Sequence, residues 1–211
     1  MRSASRHRQR RVGRPPGPRP DEAARRAELL DAAARAIRRL GASASMDEIA
    51  AEADVTKPVL YAHFKDKAGL ATALSQRFAS DLVPGVLGAF SKEIPATDMV
   101  REAIGTFIGW VESEPELYRF LVRGVAGGAS SFVDQDLVAA FGTQLAQILG
   151  TGLRNAGADS GPAELWSFSI LASVFAGAEW WLERKTMSRT DLVDYLSTLV
   201  WTGASQANLG T

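Results

Sequence analysis

Apolar side chains recur at three- and four-residue spacing along almost the whole chain, and no stretch alternates residue by residue as a half-buried strand would. An all-α fold is the expectation. From Asp21 to Leu40, Ala27, Leu30, Ala34 and Ile37 share one face, Arg25, Arg26, Glu28, Asp31, Arg35, Arg38 and Arg39 occupy the rest, and Gly41 is placed to end the helix. The next two helices are short. Ser45 and Glu48 form a capping box, the serine oxygen taking the N–H three residues on and the glutamate reaching back to the serine N–H. Asp54-Val55 interrupts this helix and Thr56 opens another, its hydroxyl available to the N–H of Val59, with Pro58 in a first turn where its missing N–H costs nothing. Ile49 and Ala53 then face Val55, Leu60 and Phe64, and the helix of residues 21–40 supplies a third wall. A fourth helix, Lys67 to about Leu82, turns Leu70, Leu74 and Phe78 inward, and Pro84-Gly85 is expected to break or kink it.

Five more helices are expected beyond Pro95. Thr97-Asp98 opens one bearing Met99, Ala103, Phe107, Trp110 and Val111, and Pro115 opens a short one with Leu117, Tyr118, Phe120 and Leu121 that ends at the loop of Gly124 to Gly128. The next runs from about Phe132 to Asn155, Pro162 begins a long one through Leu182, and Ser188 with Asp191 caps the last, through about Gln206. The long penultimate helix is apolar around most of its circumference and must be covered on all sides. A single chain of this size has few neighbours to offer, so a twofold homodimer is expected, with Leu165, Trp181, Leu192, Leu196 and Leu199 in a four-helix contact. Ala172, Ser173, Ala176 and Gly177 would let the axes approach closely. The alternative is a large intramolecular core.

The outer face of the helix opened by Thr56 presents Thr56, Lys57, Val59, Tyr61 and His63, groups able to reach phosphates and base edges. Thr56 through Phe64, with Lys67 and Leu70 beyond and the capping box before, resembles the recognition-helix signature of the tetracycline-repressor (TetR) family of transcriptional regulators. The likeness spans about the first third of the chain. It implies that Lys57 and Val59 meet base edges, that Thr56, Tyr61, His63 and Lys67 hold phosphates, and that Ser45 belongs to the DNA-facing set. Met46 departs from the small hydroxyl residue often found at its position. The resemblance also implies a double-stranded operator with near-twofold symmetry, a cavity in the second half for a small-molecule effector, and a fourth helix that swings when the effector binds.

Charge divides the chain as this reading requires. Residues 1–67 hold 15 Lys plus Arg against 9 Asp plus Glu, the remainder 9 against 15, so a net +6 end faces a net −6 end within a neutral total. A polyanion suits only the first. Three segments are expected: an Arg-rich arm over 1–20 that does not fold by itself, a DNA-binding domain over 21–67, and an effector-binding and dimerisation domain over 68–211. Within the arm, Gly13-Arg14-Pro15 resembles the core of an A·T-hook, with Arg14 along a narrow minor groove; a solvated basic tail is the other reading.

The rest of the chemistry points away from catalysis. The chain has no cysteine and only two histidines, His7 and His63, and no nucleophile triad, metal cluster or phosphate-binding glycine loop is visible, so neither cofactor nor metal is expected and the chain reads as no enzyme. Glu112, Glu114 and Glu116 around Pro115 read as a solvated turn. No apolar run is expected to approach the length of a membrane span, and a cytoplasmic protein with no membrane partner follows. Phe107, Trp110, Phe120, Phe141, Trp166 and Phe175 are the candidates to line a cavity, core packing being the commoner role of any one of them, and Glu179 and Arg119 are candidate polar anchors for which the surface or a dimer rim is the more ordinary place. So few ionisable residues lie on these faces that an uncharged aromatic or aliphatic effector is favoured. The expected function is therefore a repressor released from its operator by an apolar small molecule. The alternative is a ligand-independent or corepressor-dependent regulator with a filled core.

Overall fold

Every regular element among the described residues, 22–123 and 136–206 of the computed structural model, is helical. The helices are α1 (Glu22–Leu40), α2 (Met46–Glu52), α3 (Lys57–Phe64), α4 (Lys67–Leu87), α5 (Ala96–Ser113), α6 (Pro115–Arg123), α7 (Asp136–Asn155), α8 (Ala163–Arg184) and α9 (Arg189–Gln206), with a 3-10 turn at Gly88–Ser91. Arg14 and its arm, the loop after α6 and Phe132 lie outside the described residues.

The first three helices enclose Leu29, Ile37, Ile49, Leu60 and Phe64, each fully buried or nearly so. Ser45 closes its capping box as the sequence indicates, accepting from the Glu48 N–H while the Glu48 carboxylate accepts from the Ser45 N–H at 2.8 Å. At α3 the expectation fails. The Thr56 hydroxyl makes no cap bond; its backbone carbonyl takes the N–H groups of Val59 and Leu60 at 2.9 and 3.3 Å, which leaves the hydroxyl outward. The α3–α4 corner is tight: Lys65 has φ +64°, Asp66 caps α4 by accepting the Gly69 N–H at 2.7 Å, and a Cβ on Gly69 would lie 2.1 Å from the Phe64 carbonyl oxygen. Only glycine fits there.

Pro84 does not interrupt α4, which continues to Leu87. The donor it lacks would have served the carbonyl of Ser80, an exposed residue, and Pro84 itself is exposed one turn before the helix ends. Farther on, α7 packs on α8 and α4, and α5 on α9, while α6 sits beneath α1 and α4. Glycines allow the closest approaches: a Cβ on Gly142 would meet the Phe168 ring at 2.5 Å, and one on Gly177 the Leu196 side chain at 2.9 Å.

Two expectations about α8 change. Within its 22 residues an 18-residue window reaches a mean hydropathy of 1.2, long and apolar enough to cross a membrane by length and composition, contrary to the sequence reading. Nor is the whole helix left for a partner to cover. Leu171, Val174, Phe175, Ala178 and Trp181 are buried within the chain, whereas Leu165, Ser169, Ala172, Ser173, Ala176 and Trp180 form an exposed stripe. Of the five residues assigned to a dimer contact, Trp181, Leu192 and Leu196 are therefore buried inside the protomer; the Trp181 indole N–H donates to the Met187 carbonyl at 2.9 Å, and Leu196 packs at Gly177. Leu165 and Leu199 are 68% and 61% exposed, beside Tyr195 at 65%.

The bond from the Ser45 backbone, followed by that with its hydroxyl, holds the Glu48 carboxyl below the ordinary carboxylate range. A lowered folded-state value means that this stabilisation is present above the ordinary range and is lost as pH falls through the lowered value. Ser45→Ala should reduce the thermal midpoint by a few degrees at neutral pH, and the gap from wild type should narrow without closing on acidification, because the hydroxyl's bond to the Glu48 carboxylate titrates and its cap bond from the Glu48 N–H does not, as read by circular dichroism melts.

Candidate nucleic-acid interface and ligand cavity

Because Leu60 and Phe64 anchor α3 inward, the opposite face is presented outward: Thr56, Lys57 and Tyr61 are exposed, and Val59 and His63 are half-buried. The Lys57 ammonium lies 2.8 Å from both carboxylate oxygens of Asp47 and 5.6 Å over the Tyr61 ring. Its hydrogen bond to Asp47 holds the ammonium above its ordinary pKa. Asp47 was not singled out in the sequence, since a partner ten residues away on another helix leaves no periodic signal. Arg26 lies 5.2 Å from the Phe64 ring, and Arg39 is paired with Glu52.

Lys67 is turned differently from the other candidates. It is half-buried, with its ammonium 3.3 Å from the Ser43 carbonyl oxygen, 3.5 Å from that of Ala42, and 5.2 Å from the centre of the Phe120 ring. This places it where the α1–α2 loop meets α6. Glu114 and Glu116 meet the same region and are not merely a solvated turn: Arg38 donates to both oxygens of Glu114 at 2.6 and 2.8 Å, and the Ala42 N–H donates to Glu116 at 2.9 Å. The Glu114 bonds raise the pKa of the Arg38 guanidinium. Arg119 pairs with Glu116 at 2.6 Å at this junction and is no anchor in the cavity; Glu112 receives Arg189 at 3.3 Å.

A cavity of about 530 Å³ lies among α4, α5, α7, α8 and α9. Its walls are apolar, with no charged side chain among the lining residues, and the Trp166 and Trp201 indoles carry the side-chain N–H donors. Of the expected residues, Phe107, Phe141, Trp166 and Phe175 line it; Trp110 and Phe120 do not, a correction with a packing cause. Trp110 stacks against Phe78, Phe107 and Tyr118 at 6.2–6.4 Å between ring centres, and Phe120 is fully buried over Lys67. Glu179 also lies off the cavity wall. Aromatic packing leads from the cavity towards α6: Phe107 and Phe175 are 4.8 Å apart, and the fully buried Tyr118 donates its hydroxyl to the Phe175 carbonyl at 3.1 Å. Among the described residues no group of His, Cys, Asp and Glu is placed to hold a metal ion.

Comparison with known proteins agrees with this geometry. A family model described as bacterial regulatory proteins of the tetR family matches residues 29–74, and one described as a tetracyclin repressor-like C-terminal domain matches residues 87–209. The chain is 37% identical over 179 residues to a Mycobacterium tuberculosis protein described as an uncharacterized HTH-type transcriptional regulator, covering 84% of this chain and 76% of that one. It is 28% identical over 192 residues to the HTH-type transcriptional activator FasR of Mycolicibacterium smegmatis, covering 88% and 85%. Thermus thermophilus FadR, a TetR-family transcriptional repressor solved with lauroyl-CoA, has the same fold, with a TM-score of 0.67 at 16% identity over 83% of this chain and 93% of that one. The chain belongs to the TetR family and is a DNA-binding transcriptional regulator.

The junction can be tested apart from DNA. Glu116→Ala removes the acceptor of the Ala42 N–H, and amide exchange at Ala42 should quicken by roughly tenfold or more, the equivalent of losing one bond to a charged group. Unchanged protection measured by NMR would show that the contact contributes nothing.

Proposed function

We propose that the chain acts in the cytoplasm as a homodimeric repressor, released from a near-palindromic operator when the acyl chain of an amphiphile enters the cavity. The observation that carries this reading is the cavity wall itself. A space of about 530 Å³ lined without charge favours a long apolar group and makes burial of an ionised head costly. With each methylene taken as about as large as a water in the liquid, ~30 Å³, that space suits a chain of roughly 12–18 carbons. The lauroyl-CoA complex of the FadR neighbour supports the choice of an acyl thioester, whose nucleotide would stay outside.

In this reading the two recognition helices enter successive major grooves about 34–36 Å apart. Lys57 donates to guanine O6 and N7, Val59 touches a thymine methyl, and Thr56, Tyr61 and His63 hold phosphates, with Ser45 at the edge of the contact. Arg14 adds a minor-groove contact from the arm. Lys67 meets phosphate only if it leaves its loop carbonyls, so we assign it chiefly to the junction. The exposed stripe on α8, with Tyr195 and Leu199 of α9, forms the twofold contact; its small residues permit close helix approach. An acyl chain pressing on Phe107 and Phe175 moves Tyr118 and hence α6, whose Glu116 holds the α1–α2 loop at Ala42 and whose preceding residue, Glu114, holds Arg38 of α1. Coupling of about 1–3 kcal/mol would suffice to shift occupancy. The activator name of the M. smegmatis relative favours a second reading, in which the same ligand strengthens binding.

The direct experiment takes a duplex selected by the protein from a randomised pool and titrates the complex with lauroyl-CoA, stearoyl-CoA, free laurate and CoA alone. Release by the acylated compounds and none by CoA is expected; tighter binding would select the activator reading, and indifference to all of them would dismiss an acyl effector. Ala103→Trp, which fills the cavity from α5, should abolish the response while DNA binding persists. Leu199→Glu should yield monomers in sedimentation velocity, with operator affinity falling at least tenfold; an intact dimer would displace the proposed interface.

A further inference from the structure

Asp47 occupies the first turn of α2 and Lys57 the first position of α3, and their side chains meet in open solvent, 60% and 56% exposed. Both carboxylate oxygens stand 2.8 Å from the ammonium. The pair is not needed to hold α2 against α3, because Ile49, Leu60 and Phe64 already bury that contact, and an exposed ion pair adds little to stability. Its position matters more than its strength. It stands on the outer face beside Thr56 and Tyr61, where a free lysine would be most useful to a DNA-binding helix, and there the chain has placed a carboxylate against it.

We infer that Asp47 is a specificity-determining residue of the DNA interface: it keeps Lys57 engaged on arbitrary duplexes and releases it only where base edges replace the pair. This rests on the reading of α3 as the helix that meets bases. A free lysine near a phosphate releases about one counterion whatever the sequence, which raises affinity for all DNA. Pairing cancels most of that gain, since the ammonium is already satisfied and the carboxylate repels the phosphates. At the right site the balance changes: guanine O6 and N7 accept from Lys57, and a neighbouring cytosine N4 amino group can donate to Asp47. Opening the pair then leaves neither charge without a partner. Asp47 thus subtracts more from non-specific binding than from specific binding, discrimination by penalising the wrong partner.

The test uses the full-length protein, the selected duplex and its base-shuffled counterpart, with affinities measured across a range of potassium chloride concentrations. Asp47→Asn should raise affinity for the shuffled duplex roughly three- to tenfold and steepen its logarithmic salt dependence by about one unit. Affinity for the selected duplex should rise less or fall, so the ratio between the two drops; Asp47→Glu, which keeps the charge, should retain most of the ratio. Equal changes on both duplexes, or an unchanged salt slope with a lowered thermal midpoint, would overturn the inference and reduce Asp47 to a partner of the α2 dipole. Lys57→Ala separates the two levels of the argument. If it leaves both duplexes unaffected, the assignment of Lys57 to bases fails and this inference with it; if it weakens the selected duplex while Asp47→Asn is silent, only the role of Asp47 is lost.

Discussion

The junction where α6 meets α1, the α1–α2 loop and the start of α4 is the constraint on which the proposed communication between the two halves depends. It has an apolar floor and a polar rim. Leu117, Phe120 and Leu121 are fully buried or nearly so and supply attachment, which is strong but non-directional. Register comes from the rim: the two bonds from Arg38 to Glu114, the Ala42 N–H on Glu116, and Lys67 on the carbonyls of Ala42 and Ser43. These bonds are partly solvated and so individually modest, but they have preferred lengths and angles that the floor lacks. A junction of this kind can be re-registered without coming apart, the behaviour a bistable element needs.

The cavity supplies the other side of that argument. An apolar cavity offers an apolar ligand dispersion contacts that its walls do not make with one another. The walls are built to keep its shape. Phe107, Phe141 and Phe175 pack edge to face or tilted against one another at 4.8–6.4 Å, a rigid arrangement that cannot flow into the gap as a set of methionines could. A ligand that restores the missing contacts makes free energy available at the residues whose neighbour, Tyr118, lies on α6.

Legibility in the sequence followed the range of the interaction. The capping box at Ser45, the inward faces of α1 to α4 and the helical second half are local patterns, and they were readable as such. The cap at Thr56 was misread and the break at Pro84 does not occur, since each outcome turned on one backbone group: the carbonyl of Thr56 replaced its hydroxyl, and the acceptor left by Pro84 belongs to an exposed residue near the helix end. The α8–α9 faces show a different failure. Periodicity marks Trp181, Leu192 and Leu196 as apolar exactly as it marks Leu165 and Leu199, and nothing in the spacing tells which set meets its own chain. Pairs such as Arg38 with Glu114 or Lys57 with Asp47 join distant or unrelated helices and leave no mark on either local pattern. Of the cavity, Phe107, Phe141, Trp166 and Phe175 were legible as lining residues, whereas Trp110 and Phe120 were not told apart from them, because only what surrounds them sets them off.

Geometry also decides how small a movement is enough. The α3–α4 corner has little slack, since a Cβ at Gly69 would lie 2.1 Å from the Phe64 carbonyl oxygen and Asp66 caps the first turn of α4. The recognition helix and α4 must therefore move together. Helix α4 has 21 residues and a length of roughly 30 Å at 1.5 Å per residue, so a tilt of about 5° at its far end carries α3 through roughly 3 Å. Hydrogen bonds to base edges tolerate only a few tenths of an ångström. In a twofold dimer the displacement is doubled, and both half-sites cannot be held at once. On the proposed mechanism, release then requires neither unfolding nor a large domain rotation, only a change at the cavity end that α6 and α4 cannot absorb.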